Sequence, residues 1–244
     1  MHLLTDIVCL VYNQLDITKG FVKWLFHSTK NFNLIFVNNG STDGTLEFLQ
    51  QGQNEGKWSF VDVKENTGVI TGRNIGAKYV TADYFLNIDN DQYPHPGWLE
   101  ILHKKMEQGF DIVGKEAWQL RKPGRAGSVT MHGQVVPVDY FPYKRCTFKK
   151  DKFTYIGCGG MLIKKKVYDK IGLFDEQFSP AYFEDPDFCF QAIQSGFKLG
   201  WCYECPIEHL GHRTIGSQSL FQKNEQFMKS WKKFREKWNP YFPE

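Results

Sequence analysis

A chain of 244 residues, 41% hydrophobic and 23% charged, has the make-up of a soluble globular protein with a sizeable core, which excludes a disordered chain. Its 30 Lys and Arg against 27 Asp and Glu leave +3, too little by itself to argue for nucleic acid. No apolar run is long enough for a bilayer, the run Ile7 to Val11 follows Asp6 and is too short for a signal peptide, and scattered cysteines suit reduced thiols, so a cytoplasmic protein is expected.

The run from Ile7 to Tyr12 is apolar without alternation, as a strand buried on both faces of a parallel sheet must be. It ends at Asn13. Helical spacing follows from Ile17 to His27, then a second buried strand, Leu34 to Val37. That strand breaks into the turn-rich run Asn38 to Thr45, where Ser41 or Thr42 is expected to cap a helix carrying Leu46, Phe48 and Leu49. Phe60 to Val63 reads as a third strand, Asn66 to Gly68 as a loop, and about Arg73 to Val80 as a helix. Tyr84 to Leu86 then forms a strand leading into Asn87-Ile88-Asp89-Asn90-Asp91-Gln92. This alternation predicts an α/β fold with an open, mostly parallel sheet flanked by helices. Ligands bind such sheets beyond the carboxyl ends of the strands, where Asn13, Asn38, Asn66 and Asp89 fall.

Asp89 and Asp91, two apart at a strand end, have the spacing with which one carboxylate ligates a hard divalent cation while the other reaches a polar group on the same ligand. An acidic turn in solvent would look the same in isolation; the surroundings decide. Pro96 is expected to open a helix with Leu99, Leu102 and Met106 on one face, and Phe110 to Val113 to form a strand. Residues 115 to 152 carry nine Lys or Arg against three acids, with Tyr140, Phe141 and Tyr143 among them and a short edge strand at Val135 to Val138. Nucleic acid is disfavoured for this stretch. A solvated insertion, or a ring-bearing wall for an anionic ligand, suits it better.

Tyr155 to Ile163 is a strand interrupted by glycines, which mark close approach of a ligand to the backbone. Lys164 to Ile171 reads as a helix. In Phe183-Glu184-Asp185-Pro186-Asp187 a helix is expected to start at Pro186, with its dipole keeping the nearby carboxylates charged. Cys202, Cys205, His209 and His212 have a zinc-like look, but the two cysteines would face opposite sides of an expected strand from Trp201 to Ile207. Phe221 to Trp238 is a basic amphipathic helix with Phe227, Trp231, Phe234 and Trp238 on one face. Packing of those rings on the rest of the protein is favoured over a peripheral contact with anionic lipid at the inner membrane face. No repeat or linker appears, so 1–244 is expected to form one domain, with a first half to about 114, a second over 115–216, and a C-terminal helix over 217–244.

Taken in order, Val11-Tyr12-Asn13, the run Val37 to Thr45, Asn66-Thr67-Gly68, Arg73-Asn74-Ile75-Gly76, Asn87 to Asp91, Gly157 to Met161, Gly172 to Glu176 and Tyr182 to Asp187 resemble glycosyltransferase family 2, the inverting group with a GT-A fold. The likeness covers about residues 5 to 216 and implies a nucleotide-binding half to about 114 and an acceptor-side half over 115–216, with Tyr140, Phe141 and Tyr143 as an acceptor wall. It implies a metal-dependent transferase moving a sugar from a nucleotide-diphosphate donor, a UDP-sugar first, to a glycan, lipid-linked or other hydroxyl acceptor, in surface polysaccharide or glycoconjugate synthesis. The resemblance places Tyr12, Asn13, Asn38, Asp43, Asn66, Gly68, Arg73, Asn74, Asp89, Asn90, Gly159 and Gly160 on the nucleotide sugar. It also implies Asp185 as general base with Glu184 on the acceptor, and Mn²⁺ or Mg²⁺ on Asp91 with His209, or His212 in its place. Asn38 stands where the family has the Asp that reads uracil; an amide keeps one acceptor and adds two donors. Two other classes compete. A sugar nucleotidyltransferase should carry a glycine-rich basic loop after the first strand, where Tyr12-Asn13-Gln14 has none. A non-catalytic nucleotide- or glycan-binding protein would not need Asp89, Asp91 and Asp185 together.

Overall fold

The computed structural model describes residues 4–115, 117–119, 127–131, 134–138, 144–145, 154–209 and 220–238. Seven helices and fourteen strands alternate along them. The first half runs β1 (Thr5–Val11), α1 (Leu15–Ser28), β2 (Phe32–Asn39), α2 (Thr45–Asn54), β3 (Ser59–Val63), α3 (Gly68–Ala77) and β4 (Tyr84–Asp89). Next come β5 (Gln92–Pro94), α4 (Trp98–Glu107), β6 (Ile112–Gly114), β7 (Ala117–Gln119), β8 (Gly127–Met131), β9 (Gln134–Val138), β10 (Lys144–Arg145), β11 (Thr154–Ile156) and β12 (Met161–Lys164). The chain closes with α5 (Lys165–Ile171), a 3₁₀ turn at Glu176–Phe178, α6 (Glu184–Gln194), β13 (Leu199–Trp201), β14 (Ile207–His209) and α7 (Leu220–Trp238).

Seven strands form the central sheet in the order β13-β6-β12-β4-β1-β2-β3. Strands β1 to β4 are mutually parallel, and β12 runs antiparallel to both β4 and β6. The chain winds from β1 out through β2 to β3, then returns to lay β4 on the other side of β1. That reversal makes a crevice between the ends of β1 and β4, the place where doubly wound sheets take ligands. Asn13 and Asp89 lie at its two rims.

Burial explains the layers. Ile7, Cys9 and Val11 of β1 face a core that holds Phe21 and Leu25 of α1, Leu49 of α2 and Leu102 of α4. Val8 stands on the opposite face with Ile35 and Val37, under α3. There Gly76 lets the helix approach closely: a Cβ would lie 2.4 Å from Val8. The larger core, on α5, α6 and α7, gathers Phe178, Phe183, Phe188, Phe190, Trp231, Phe234 and Trp238. Each such ring contributes about 1.5–3 kcal/mol when fully buried. The C-terminal helix is therefore held by the rest of the protein, and among its described side chains Glu225, Met228, Lys229, Lys232, Lys233, Arg235 and Glu236 face outward. The rings expected on lipid in the alternative reading are inside. Among the described residues no helix is long and apolar enough to cross a membrane.

Several element starts differ from expectation, four of them at helices capped by backbone conformation. Gln14, Gly44, Gly97 and Phe183 each precede a helix in the left-handed conformation and cap it without a side chain. The helix after β2 thus begins at Thr45 and not under a Ser41 or Thr42 cap, and α4 begins at Trp98, two residues past Pro96. Helix α3 starts at Gly68 instead of about Arg73, so Arg73 is an interior residue aimed at the crevice. The expected strand from Trp201 to Ile207 is two short strands with a turn carrying Cys202 and Cys205 between them.

Candidate active site

Strand β4 delivers Asp89 to the crevice, and the turn that follows carries Asp91. What brings a distant ligand to them is a small ribbon: β14 pairs antiparallel with β5, setting His209 opposite Gln92. His209 Nε2 then lies 3.3 Å from Asp91 Oδ1. One ligand atom from each of Asp89, Asp91 and His209 falls within 4.8 Å of the others. Two carboxylates and an imidazole so placed suit Mn²⁺ or Mg²⁺, the oxygens supplying the hard ligands and the nitrogen tilting the site away from Ca²⁺. Gln92, which sequence reasoning passed over, fixes the turn: its Oε1 accepts the Asp89 backbone N–H at 3.0 Å. The same amide packs on Gly159, where a Cβ would sit 2.7 Å from it and displace Gln92 from the turn. Gly160, at φ +81°, donates its N–H to the Asn87 carbonyl at 2.8 Å.

Arg73, buried to 7% exposure, joins this group to a second one. Its Nη2 lies 2.8 Å from Asp89 Oδ1, and its Nη1 lies 3.6 Å from Glu184. Glu184 and Asp185 form the first turn of α6, which begins two residues earlier than Pro186. The Cys158 backbone N–H donates to Asp185 Oδ2 at 3.1 Å. Asp185 Oδ1 and Glu184 Oε2 are buried and find no hydrogen-bond partner among the described residues. Burial, and then the charge of Glu184, push the Asp185 carboxyl up to about 8, against the pull of Arg73 and the Cys158 N–H. Burial likewise raises Glu184, with Arg73 opposing it. The helix end does not keep this pair in the ordinary carboxylate range, because desolvation outweighs a dipole effect of about 0.3–1 kcal/mol.

Asp187, two residues on, belongs to a different constellation. It is fully buried, receives a hydrogen bond from Trp238 Nε1 at 2.8 Å and pairs with Lys237 at 2.8 Å. Lys237 also reaches Asp175 at 2.7 Å, so this cluster fastens α7 and lies apart from the chemistry.

Many of the residues expected on the nucleotide sugar are occupied within the protein. Tyr12 follows β1 half-buried. Asn13 (φ +54°) accepts the Thr42 N–H on Oδ1 at 2.7 Å and donates its own N–H to Ser41 Oγ at 2.8 Å, binding the ends of β1 and β2 together. Asp43 accepts from the Leu15 and Thr45 N–H groups. Asn66 accepts from the Gly68 N–H and from Asn39 Nδ2. Gly68, at φ +84°, abuts Pro180, where a Cβ would be 2.6 Å away. Asn74 holds Phe174 through both its amide atoms and also reaches Glu176, and Asn90 donates to Thr18 Oγ1. Asn38 donates to Asp62 and accepts the Ser41 N–H. The cysteines of the zinc-like pattern are buried thiols, and neither belongs to the acid–histidine group. His212, and the expected acceptor-wall rings at Tyr140, Phe141 and Tyr143, lie outside the described residues.

Comparison with known proteins agrees with this geometry. The model of glycosyl transferase family 2 matches residues 6–172. An uncharacterized glycosyltransferase of Haemophilus influenzae is 28% identical over 46% of the chain, which spans only 35% of that relative. One of Rickettsia typhi is 25% identical over 96% of this chain and 72% of its own. A crystal structure of GalNAc-T7 with UDP, GalNAc and Mn²⁺ superposes with a TM-score of 0.67 at 15% identity, over 96% of this chain and 48% of that one. The shared architecture is the GT-A fold.

Proposed function

The chain belongs to glycosyl transferase family 2, and from that premise we propose that it transfers a hexosyl or N-acetylhexosaminyl group from a nucleotide-diphosphate sugar, a UDP-sugar first, to a hydroxyl acceptor with inversion. The acceptor is a glycan, lipid-linked or other hydroxyl compound of polysaccharide or glycoconjugate synthesis. We read residues 1–244 as one catalytic domain. One observation carries the proposal: Arg73 holds Asp89 on one side and Glu184 on the other, so a metal-competent group and a carboxyl of raised basicity share one crevice.

In this reading Asp185 is the base. Its Oδ1, left without a partner, receives the acceptor's hydroxyl proton as that oxygen attacks the anomeric carbon. The bond from the anomeric carbon to the diphosphate breaks on the opposite face, its electron pair leaving with the nucleotide, through an oxocarbenium-like transition state. A carboxyl at about 8 is a far stronger base than a surface Asp, and Glu184 beside it orients the acceptor hydroxyl. Arg73 holds Asp89 in place through their 2.8 Å ion pair. Asp91 and His209, with Asp89 beside them, would hold a divalent cation, which would supply charge stabilisation for the departing diphosphate. The sugar bed is the backbone of Gly159 and Gly160, which Gln92 and Asn87 hold in place.

The test is a panel of nucleotide sugars with Mn²⁺, scored for release of the nucleoside diphosphate, run beside Asp91→Asn and Asp185→Asn. Release from one donor that both substitutions abolish supports the reading; release that neither affects removes it.

A further inference from the structure

Resting on the nucleotide-sugar reading above, we propose that Asp62, and not Asn38, reads the base of the donor, its carboxylate accepting the ring N–H that uracil, thymine and guanine share.

Position is the first argument. With the diphosphate at the Asp89–Asp91 end of β4, the rest of the nucleotide extends across the strand ends toward β3. In the order β4-β1-β2-β3, β2 and β3 lie two and three strands away. At about 4.8 Å per strand that is roughly 10 and 14 Å, the reach from a bound diphosphate to the far edge of its base. Asn38 and Asp62 are register partners on β2 and β3, so their side chains stand on the same face at that distance.

Accessibility separates the two. Asn38 is 1% exposed, with Oδ1 taken by the Ser41 N–H at 3.2 Å and Nδ2 giving a hydrogen to Asp62 Oδ1 at 2.7 Å. To read a base it would have to surrender a buried hydrogen bond. The Asp62 side chain is 22% exposed, and its Oδ2 meets Lys64, itself 84% exposed. An exposed pair of that kind is worth at most about 1 kcal/mol, so an incoming donor displaces the ammonium at little cost. Asn38 is thereby a positioning residue: it pins one carboxylate oxygen and leaves the other for a ligand. Asp43, on the turn after β2, already accepts from Leu15 and Thr45.

Chemistry then sets the selectivity. An ionised carboxylate offers acceptors only. It pairs with the ring N–H of uracil, thymine or guanine, and meets a lone pair at the corresponding ring nitrogen of cytosine or adenine. Rejection comes from leaving the site's polar group unpaired.

The experiment is titration of UDP, dTDP, GDP, CDP and ADP, each with Mn²⁺, into the wild-type chain, Asp62→Ala and Asp62→Asn, with melting curves for all three. Asp62→Asn keeps an oxygen for Asn38 and so guards against loss of fold. The wild type is expected to favour one of the first three nucleotides over CDP and ADP. Both substitutions should cut affinity for that nucleotide about 10- to 100-fold while CDP and ADP change little. Unchanged preference in both variants, or a wild type that favours CDP or ADP, overturns the assignment alone. A wild type that binds none of the five overturns it together with the transferase reading.

Discussion

Asp185→Asn is expected to remove the reaction and to stabilise the protein, two effects with one cause. In the folded chain the carboxyl titrates at about 8 against an ordinary 3.8, because burial and Glu184 disfavour its charge. Below pH 4 it is protonated folded or unfolded and makes no difference. As pH climbs toward 8 the unfolded chain ionises it freely and the folded chain cannot, so the wild type steadily loses stability that the amide variant keeps. Each pH unit of the gap is worth about 1.4 kcal/mol at full burial. Asp185 is only partly buried and Arg73 opposes the effect, so we expect about 1–3 kcal/mol at pH 8, and roughly 2–4 °C in Tm per kcal/mol for a chain of this size. The assay is a pair of melting series from pH 4 to 9, with turnover measured on the same samples. Turnover should fall about 10²–10⁴-fold while donor and metal affinity persist. A melting difference that stays flat across pH, or a variant within tenfold of wild-type turnover, refutes the reasoning.

The wild-type rate should climb with pH and level off near 8, as the base loses its proton; a profile already flat from pH 5 upward contradicts the environment described for Asp185. Asp91→Asn should abolish metal-dependent donor binding by calorimetry while leaving Tm nearly unchanged, since Asp91 faces His209 and supports no core. Lys237→Met leaves Asp187 buried without its cation and should cost about 3 kcal/mol in denaturant melts, with turnover per folded molecule unaltered. Asn38→Asp sets a second carboxylate where Asn38 now donates to Asp62 at 2.7 Å. Its Tm should drop at pH 7 and recover near pH 4, or when Asp62→Asn is added; an unaltered Tm at pH 7 would mean the strand ends part freely.

The strands were legible because parallel strands buried on both faces have to be continuous apolar runs, and Ile7 to Val11 and Leu34 to Val37 are such runs. Helix starts were less so. Side-chain caps are visible in a sequence, whereas Gln14 and Phe183 cap by backbone conformation alone, which residue type does not announce. The acidic pair at 89 and 91 stood out by its spacing, but its joining to His209 depends on β14 pairing with β5, a contact between distant segments. The family resemblance puts Asn38 on the base. Only the register with β3 reveals Asp62 as the neighbour that occupies its amide. The helix dipole at Asp185 is apparent from sequence, whereas the desolvation that outweighs it depends on the packing around α6.

The central claim, a single base and in-line displacement, is tested most directly by the anomeric configuration of the first product. The first donor found to turn over should be incubated with its acceptor and Mn²⁺, and the anomeric proton coupling of the new linkage read by NMR. An α-linked nucleotide sugar is predicted to yield a β-linked product; an α-linked product would contradict the account.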